Sequence, residues 1–254
     1  MNKILKDAYI VGKNELLIQL RNPLWLFFGL FQPIVYLALF SPFLSGLAEA
    51  PGFPDMNAIQ FFVPGLLIMN ALFGSAFAGF GLINQLRSGF IERIRVTPVS
   101  RISIVIGLVF KSPVTLLVQS AVLVITAFFF GLKMSFWGAH ILILLMSVIG
   151  IAMASLSYTI ALIVKDEGTL AATTNFFTLP LMLLSGIMLP ITFAPKIIRN
   201  ISAADPFRYA VDASRALVNG NLGDNSVWIA LIIFGLLSVI TLGWFIRSMK
   251  DAVS

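Results

Sequence analysis

The chain has 254 residues, of which 59% are hydrophobic and only 11% are charged, and its formal net charge is +6. This composition predicts an integral membrane protein, and the absence of cysteine excludes disulfides and thiolate metal sites. Because the chain has one histidine, His140, and no cluster of carboxylates, we predict no catalytic residue and no metal site. The positive charge does not require a nucleic acid partner.

Residues 1–22 are predicted to form an amphipathic helix that lies in the membrane interface ahead of the first span. Apolar residues recur here at near-helical spacing with lysines between them: Leu5, Tyr9, Leu16 and Leu20. Pro23 cannot continue a helix without loss of a backbone hydrogen bond, so we expect the chain to turn into the membrane there. The alternative is a solvated basic tail.

Six long apolar stretches contain no Asp, Glu, Lys or Arg, and each is about long enough for the ~20 residues of a spanning helix. They cover residues 24–47, 58–86, 112–132, 134–164, 169–190 and 227–246, and the third predicted span extends back to residue 102. We therefore predict an all-α membrane protein with six transmembrane helices in a single domain, 1–254.

The lysines and arginines are unequally shared between the two sides that an even number of spans defines. Twelve of the 17 lie on the side of both termini, and five lie on the other side. Because loops rich in Lys and Arg stay in the cytoplasm, we predict a multi-pass protein of the cell (inner) membrane with both termini cytoplasmic. The positive charge also favours contact with anionic membrane lipids.

A short cytoplasmic helix is predicted in the loop after the second span, over residues 88–98. Phe90 and Ile94 share one face of this helix, charged residues are exposed beside them, and Thr97-Pro98 ends it. Such a helix can enter a groove of another protein. The alternative is a loop whose charges only fix the topology. That alternative does not explain why the apolar and charged residues of this segment are arranged at helical spacing.

The outer segment 191–224 is too apolar for a solvated loop, and we predict short re-entrant helices within it. Asp205 is predicted to cap one helix, with Pro206 at its first position and Gly220 at its carboxyl-terminal cap. Charged residues of alternating sign recur along this helix at intervals of three and four residues: Asp205, Arg208, Asp212 and Arg215. The spacing favours structural pairing along one face over a catalytic use of the carboxylates.

Two predicted spans carry amide and aromatic side chains on one face. Asn70, Phe73 and Phe77 lie in the second span, beside small residues that allow close helix packing. Asn175 and Phe176 lie in the fifth span, ahead of a proline that removes a backbone donor from the helix centre. We predict that these five residues line a cargo pathway. The alternative is that the aromatic rings face lipid or other helices.

The order of these elements and two local motifs resemble the permease subunits of type-2 ATP-binding-cassette exporters, especially the daunorubicin-resistance-like drug exporters. The motifs are Ser-Gly-Phe-Ile-Glu-Arg-Ile-Arg-Val-Thr-Pro from Ser88 and Asp-Pro-Phe-Arg-Tyr-Ala-Val-Asp from Asp205. The resemblance covers the whole chain, and the two motifs lie on opposite sides of the predicted topology.

The resemblance implies two permease subunits around a central pathway and two separate ATPase subunits that bind ATP and Mg²⁺. A homodimer of permeases is expected, with a heterodimer as the alternative. The sequence has no Gly-xxxx-Gly-Lys-Ser/Thr phosphate loop, so this chain is not the expected ATPase. By resemblance, the helix 88–98 is the coupling helix that contacts the ATPase, and residues 1–22 form the connecting helix. The predicted coupling residues are Ser88, Phe90, Ile91, Glu92, Arg93, Ile94, Arg95 and Pro98.

The expected function is therefore multidrug efflux or a related export of an amphipathic small molecule or lipid-like cargo. Export of a polysaccharide or a lipid-linked glycan is the alternative within the family. A secondary transporter is disfavoured because the charge-free stretches offer no ionisable group and no inverted repeat is visible. An intramembrane enzyme lacks a nucleophile or metal constellation in this sequence.

Overall fold

A computed structural model describes residues 3–21, 31–32, 34–39, 46, 57–89 and 99–253, and the structural statements below refer to these residues. No strand occurs among them, which agrees with the predicted all-α class. The α-helices with both ends described are α1 (Lys3–Leu20), α2 (Ala58–Ala76), α3 (Gly79–Arg87), α4 (Arg101–Phe129), α5 (Phe136–Val164), α6 (Glu167–Leu184), α7 (Lys196–Ser202), α8 (Pro206–Val218) and α9 (Asn225–Val253).

Four of the six predicted spans correspond to described helices that are long and apolar enough to cross a membrane. They are Ala58–Arg87, Arg101–Phe129, Phe136–Val164 and Asn225–Ala252. The first predicted span, 24–47, lies mostly outside the described residues. The fifth corresponds to α6, an 18-residue helix that is not among the four and that carries the polar residues Glu167, Asn175 and several threonines. Its helix ends at Leu184, before the predicted end at residue 190.

The amino-terminal helix α1 packs along α4 through two glycines. A Cβ atom added at Gly12 would stand 3.2 Å from the carbonyl oxygen of Gly107, and one added at Gly107 would stand 2.7 Å from Cβ of Val11. The buried residues of α1 are Ala8, Gly12 and Glu15. Most of the apolar residues that predicted the helix are exposed: Leu5, Tyr9 and Leu20. This exposed apolar face is what a helix in the membrane interface requires.

The helices pack around two apolar cores at opposite ends of the spans. The first core joins α2, α4, α5, α8 and α9, and it includes Phe207 and Phe234, whose ring centroids are 5.0 Å apart. The second joins α3, α4, α5 and α9, and it includes Tyr158 and Phe245, whose ring centroids are 5.2 Å apart. The second predicted span contributes α2 to the first core and α3 to the second.

The outer segment forms the short helices α7 and α8, preceded by a 3-10 turn at Ile191–Phe193. The capping predictions for α8 are confirmed. A carboxylate oxygen of Asp205 accepts the N–H of Phe207 at 2.8 Å, Pro206 opens the helix, and Gly220 follows its end with a φ of 80°. The left-handed φ explains why glycine is favoured at that position.

Candidate functional site

The second predicted span is interrupted at Phe77 and Ala78, between α2 and α3. The hydroxyl group of Ser157 on α5 bridges the break. It donates to the carbonyl oxygen of Ala76 at 2.6 Å and accepts the N–H of Gly79 at 2.9 Å. These bonds replace helical backbone bonds, as expected where a side chain inserts into a helix. The second predicted span is thus present as Ala58–Arg87, but the break within it was not predicted.

A cavity of about 480 Å³ lies beside the break, between α1, the two halves of the second span and α4. Its apolar wall includes Leu116 and the rings of Phe77 and Phe80, whose centroids are 5.6 Å apart. Its polar lining residues are Glu15, Gln19, Asn84, Gln85, Ser88, Lys111, Ser112 and Thr115. The volume falls in the range of sites that bind drug-sized molecules.

A buried ion pair between Glu15 on α1 and Lys111 on α4 lies at the polar end of this cavity. The ammonium nitrogen of Lys111 is 3.3 Å from Glu15 Oε2, and Gln85 Nε2 donates to Glu15 Oε1 at 2.6 Å. The side chain of Lys111 is only 16% exposed, and that of Glu15 is only 6% exposed. An ion pair this buried is stable only because each charge has a partner.

This pair was not predicted from the sequence, because Lys111 was assigned to the charges on the cytoplasmic side. The structure places it about three turns inside α4, which begins at Arg101 and is one of the four candidate spans. The prediction that the spans contain no ionisable group was therefore wrong for this span. The local signal was the serine cap at Ser100, which fixes the helix start well ahead of the lysine.

The five predicted pathway residues lie in two separate regions of the chain. Phe77 lines the cavity and stacks on Phe73, with 6.4 Å between ring centroids. Asn70 is buried, and its Nδ2 has no hydrogen-bond partner in the described part of the chain. Asn175 and Phe176 are exposed on α6 and do not line the cavity. The two sets therefore do not meet in one cavity within a single chain.

Arg215 on α8 connects three segments of the chain that are distant in sequence. Its guanidinium donates to the carbonyl oxygens of Gly186 at 2.7 Å and Phe61 at 3.2 Å, and it lies 3.6 Å above the centre of the Phe61 ring. Burial lowers the pKa of Arg215 to about 10, so the group stays charged at neutral pH. Arg215 also lines a second cavity of about 700 Å³ with Asp212 and Asp224.

Of the four predicted outer residues, Asp205, Arg208 and Arg215 make their shortest contacts outside the set. Asp212 lies 4.0 Å from Arg208 Nε and 3.9 Å from Arg215 Nη1, which are long ion-pair distances. Arg208 donates to the hydroxyl oxygen of Ser202 at only 2.9 Å. Asp205 caps α8, and burial raises the pKa of its carboxyl to about 6. Backbone and serine oxygens therefore hold this helix more closely than its own charge pairs do.

Of the predicted coupling residues, only Ser88 lies within the described residues. Its hydroxyl group donates to the carbonyl oxygen of Gln85 at 2.9 Å, and the residue lines the cavity. Beside it, Arg87 forms an exposed ion pair with Glu167 at 3.2 Å. The remaining coupling residues lie outside the described residues, so the coupling helix stays a prediction: Phe90, Ile91, Glu92, Arg93, Ile94, Arg95 and Pro98.

Comparisons with known proteins identify the family. The model of a family described as ABC-2 type transporter matches residues 7–219. The chain is 29% identical over 218 residues to ycf38 of Cyanophora paradoxa, named as a candidate transport permease, with 84% of this chain and 74% of that protein covered. The ycf38 protein of Porphyra purpurea is 26% identical over 199 residues, with 77% and 68% covered.

A bacterial relative carries a more specific name. The daunorubicin resistance ABC transporter permease protein DrrB1 of Streptomyces coeruleorubidus is 23% identical over 204 residues, with 80% of this chain and 71% of that protein covered. The family match and this relative confirm the resemblance that the sequence motifs indicated.

Proposed function

The chain belongs to the ABC-2 type transporter family and is a multi-pass transport permease, and we propose that it is the membrane-spanning subunit of an ATP-driven exporter. In this proposal the chain has six spans in the cell (inner) membrane, with both termini in the cytoplasm. ATP and Mg²⁺ bind to two separate ATPase subunits. A second permease subunit, most simply a second copy of this chain, completes the transporter.

The proposed cargo is an amphipathic small molecule, drug or lipid-like molecule. The observation that carries this proposal is the cavity of about 480 Å³, which joins the rings of Phe77 and Phe80 to the buried pair of Glu15 and Lys111. A wall of this kind suits a molecule with an apolar body and a polar end. The volume is that of a drug-sized molecule and favours such cargo over a polysaccharide or a lipid-linked glycan.

ATP-driven movement of a fluorescent amphipathic dye, rhodamine 6G, into inside-out membrane vesicles tests this function. Vesicles that contain the permease and its co-purified ATPase are expected to move the dye only when ATP and Mg²⁺ are present. The movement is expected to stop with vanadate and to continue with a protonophore. Dye movement that needs a proton gradient and no ATP would instead support a secondary transporter and contradict the proposal.

Charge reversal in the predicted coupling helix tests the link to the ATPase. The double variant Glu92→Lys with Arg95→Glu is expected to lower both ATPase co-purification and dye-stimulated hydrolysis at least fivefold, because complementary charges guide such contacts. Lys250→Glu is the matched control, since it reverses an exposed charge on the same proposed side of the membrane. If the double variant keeps both ATPase co-purification and dye-stimulated hydrolysis at the level of the control, the coupling assignment is wrong.

A further inference from the structure

We infer that the cavity beside the break is a cargo-binding site contained within a single permease chain. It takes a drug-sized amphipathic molecule whose polar end carries N–H or O–H donors. This inference rests on the proposed function, but it differs from the pathway predicted at an axis between two permeases. The cavity walls come from α1, α2, α3 and α4 of one chain, so the site does not depend on a second copy.

The apolar part of the site lies against the break in the second span. Phe77 lies at the break and Phe80 in the first turn of α3, and their rings stack on each other while lining the cavity. Leu116 on α4 and Ile18 on α1 contribute further apolar walls. Flat aromatic surfaces of this kind bind the planar or aliphatic body of an amphipathic molecule with little loss of side-chain freedom.

The polar end of the site is close to neutral in net charge, because Glu15 and Lys111 form a pair at 3.3 Å. It nevertheless retains hydrogen-bonding capacity, since an ionised carboxylate accepts at about four lone-pair positions. Gln85 Nε2 and Lys111 occupy only part of that capacity. A ligand therefore needs no net charge, but it gains from donors directed at the carboxylate.

Two buried amide oxygens near the site strengthen the case for a donor-bearing ligand. The Oε1 atoms of Gln85 and Gln119 have no hydrogen-bond partner within the described residues. The side-chain orientation of Gln85 follows from its bond to Glu15, because the carboxylate requires the NH₂ group on that side. Gln119 is 2% exposed, and its Oε1 lies 3.5 Å from the Cβ position of Gly74, which lines the cavity.

The exposed rim of the cavity indicates where the molecule enters. Asn84 and Ser88 are exposed, and both line the cavity near the end of α3 that carries Arg87. Ile18 on α1, which is 52% exposed, also lines the cavity. In the proposed topology this rim faces the cytoplasmic membrane surface, where amphipathic molecules accumulate.

Binding of rhodamine 6G to the full chain in lipid nanodiscs, without any ATPase, tests the site. Gly81→Leu adds a side chain to the cavity wall, and its Cβ would meet only Lys111 Nζ, at 3.6 Å. This variant is expected to weaken dye binding at least tenfold in fluorescence polarisation. Gly243→Leu is the matched control, because a Cβ there meets nothing within 4 Å; its affinity is expected to stay within twofold of the original chain.

Asn84→Trp provides a second variant that narrows the exposed rim without entering the buried wall, and it is also expected to weaken dye binding. Unchanged binding in both Gly81→Leu and Asn84→Trp, or dye binding no stronger than to empty nanodiscs, would overturn the inference. The binding assay contains no ATPase, so it separates the two proposals. ATP-driven efflux with binding unaffected by both variants refutes only the site. Binding that the variants weaken, without any ATP-driven efflux, refutes only the exporter.

Discussion

Two largely buried charged residues of this chain, Lys111 and Arg215, are held by groups far away in sequence. Lys111 is paired with Glu15 across two helices, and Arg215 donates to the carbonyl oxygens of Phe61 and Gly186. The sequence placed the charges of α8 correctly on one helix. It could not show that Arg215 bonds chiefly to carbonyl oxygens, because those oxygens belong to segments distant in sequence.

Asp205→Asn is expected to raise the thermal unfolding midpoint at pH 8 and to remove part of its pH dependence. Burial raises the pKa of Asp205 from 3.8 to about 6, so the folded state holds this proton more tightly than the unfolded state does. The contribution of Asp205 to stability therefore falls as the pH rises from about 4 to about 6, and the loss persists above that range. Asparagine still caps α8 and carries no charge.

The measurement is the difference in midpoint between the Asp205→Asn variant and the original chain from pH 4 to pH 8. The difference is expected to be small at pH 4 and positive at pH 8. Asp224→Asn is the control, since hydrogen bonds from Ser226 lower the pKa of Asp224. The unfolding midpoint of Asp224→Asn is expected to lie below that of the original chain at neutral pH and to approach it in acid. A difference for Asp205→Asn that does not change with pH would contradict the assignment.

At the scale of helices, the break in the second span depends on one hydroxyl group. Ser157→Ala leaves the carbonyl group of Ala76 and the N–H group of Gly79 without their partner. We expect a loss of about 1–3 kcal/mol in unfolding free energy, because unsatisfied buried polar groups are costly. Denaturation of the purified chain in detergent measures this loss.

Ser147→Ala is the matched control on the same helix. The hydroxyl group of Ser147 is exposed and donates only to the carbonyl oxygen of Ile143 one turn away, at 2.8 Å. Its removal is expected to change the unfolding free energy by less than about 0.5 kcal/mol. Equal losses in Ser147→Ala and Ser157→Ala would show that the bridge across the break is not important for stability.

The sequence predicted those helix features that depend on nearby residues. Asp205, Pro206 and Gly220 specify the two ends of α8 locally, and the structure agrees with each of them. The break at Phe77 was not predictable in this way, because the residue that stabilises it, Ser157, lies on another helix. A Cβ at Gly79 would stand only 2.6 Å from the carbonyl oxygen of Ser157, so the close approach also depends on a distant residue.

At the scale of the whole molecule, α6 presents exposed apolar side chains and an exposed amide on its surface. Phe176 is 74% exposed and Leu183 is 70% exposed, at spacings that place them on one helix face. Asn175, near the middle of the same helix, is also exposed. An amide facing lipid lacks hydrogen-bond partners, and a second copy of the helix can supply them. The proposed permease dimer therefore places α6 at its interface.

Cysteine crosslinking tests this placement directly, because the chain contains no natural cysteine. Phe176→Cys is expected to form a covalent dimer with a short thiol-reactive crosslinker in native membranes. Val239→Cys on α9 is the matched control, since Val239 is 72% exposed but lies on a different helix. Symmetry brings equivalent positions together only near the axis between the two chains. We therefore expect dimer from Phe176→Cys and monomer from Val239→Cys, and equal crosslinking of the two variants would place the dimer interface elsewhere.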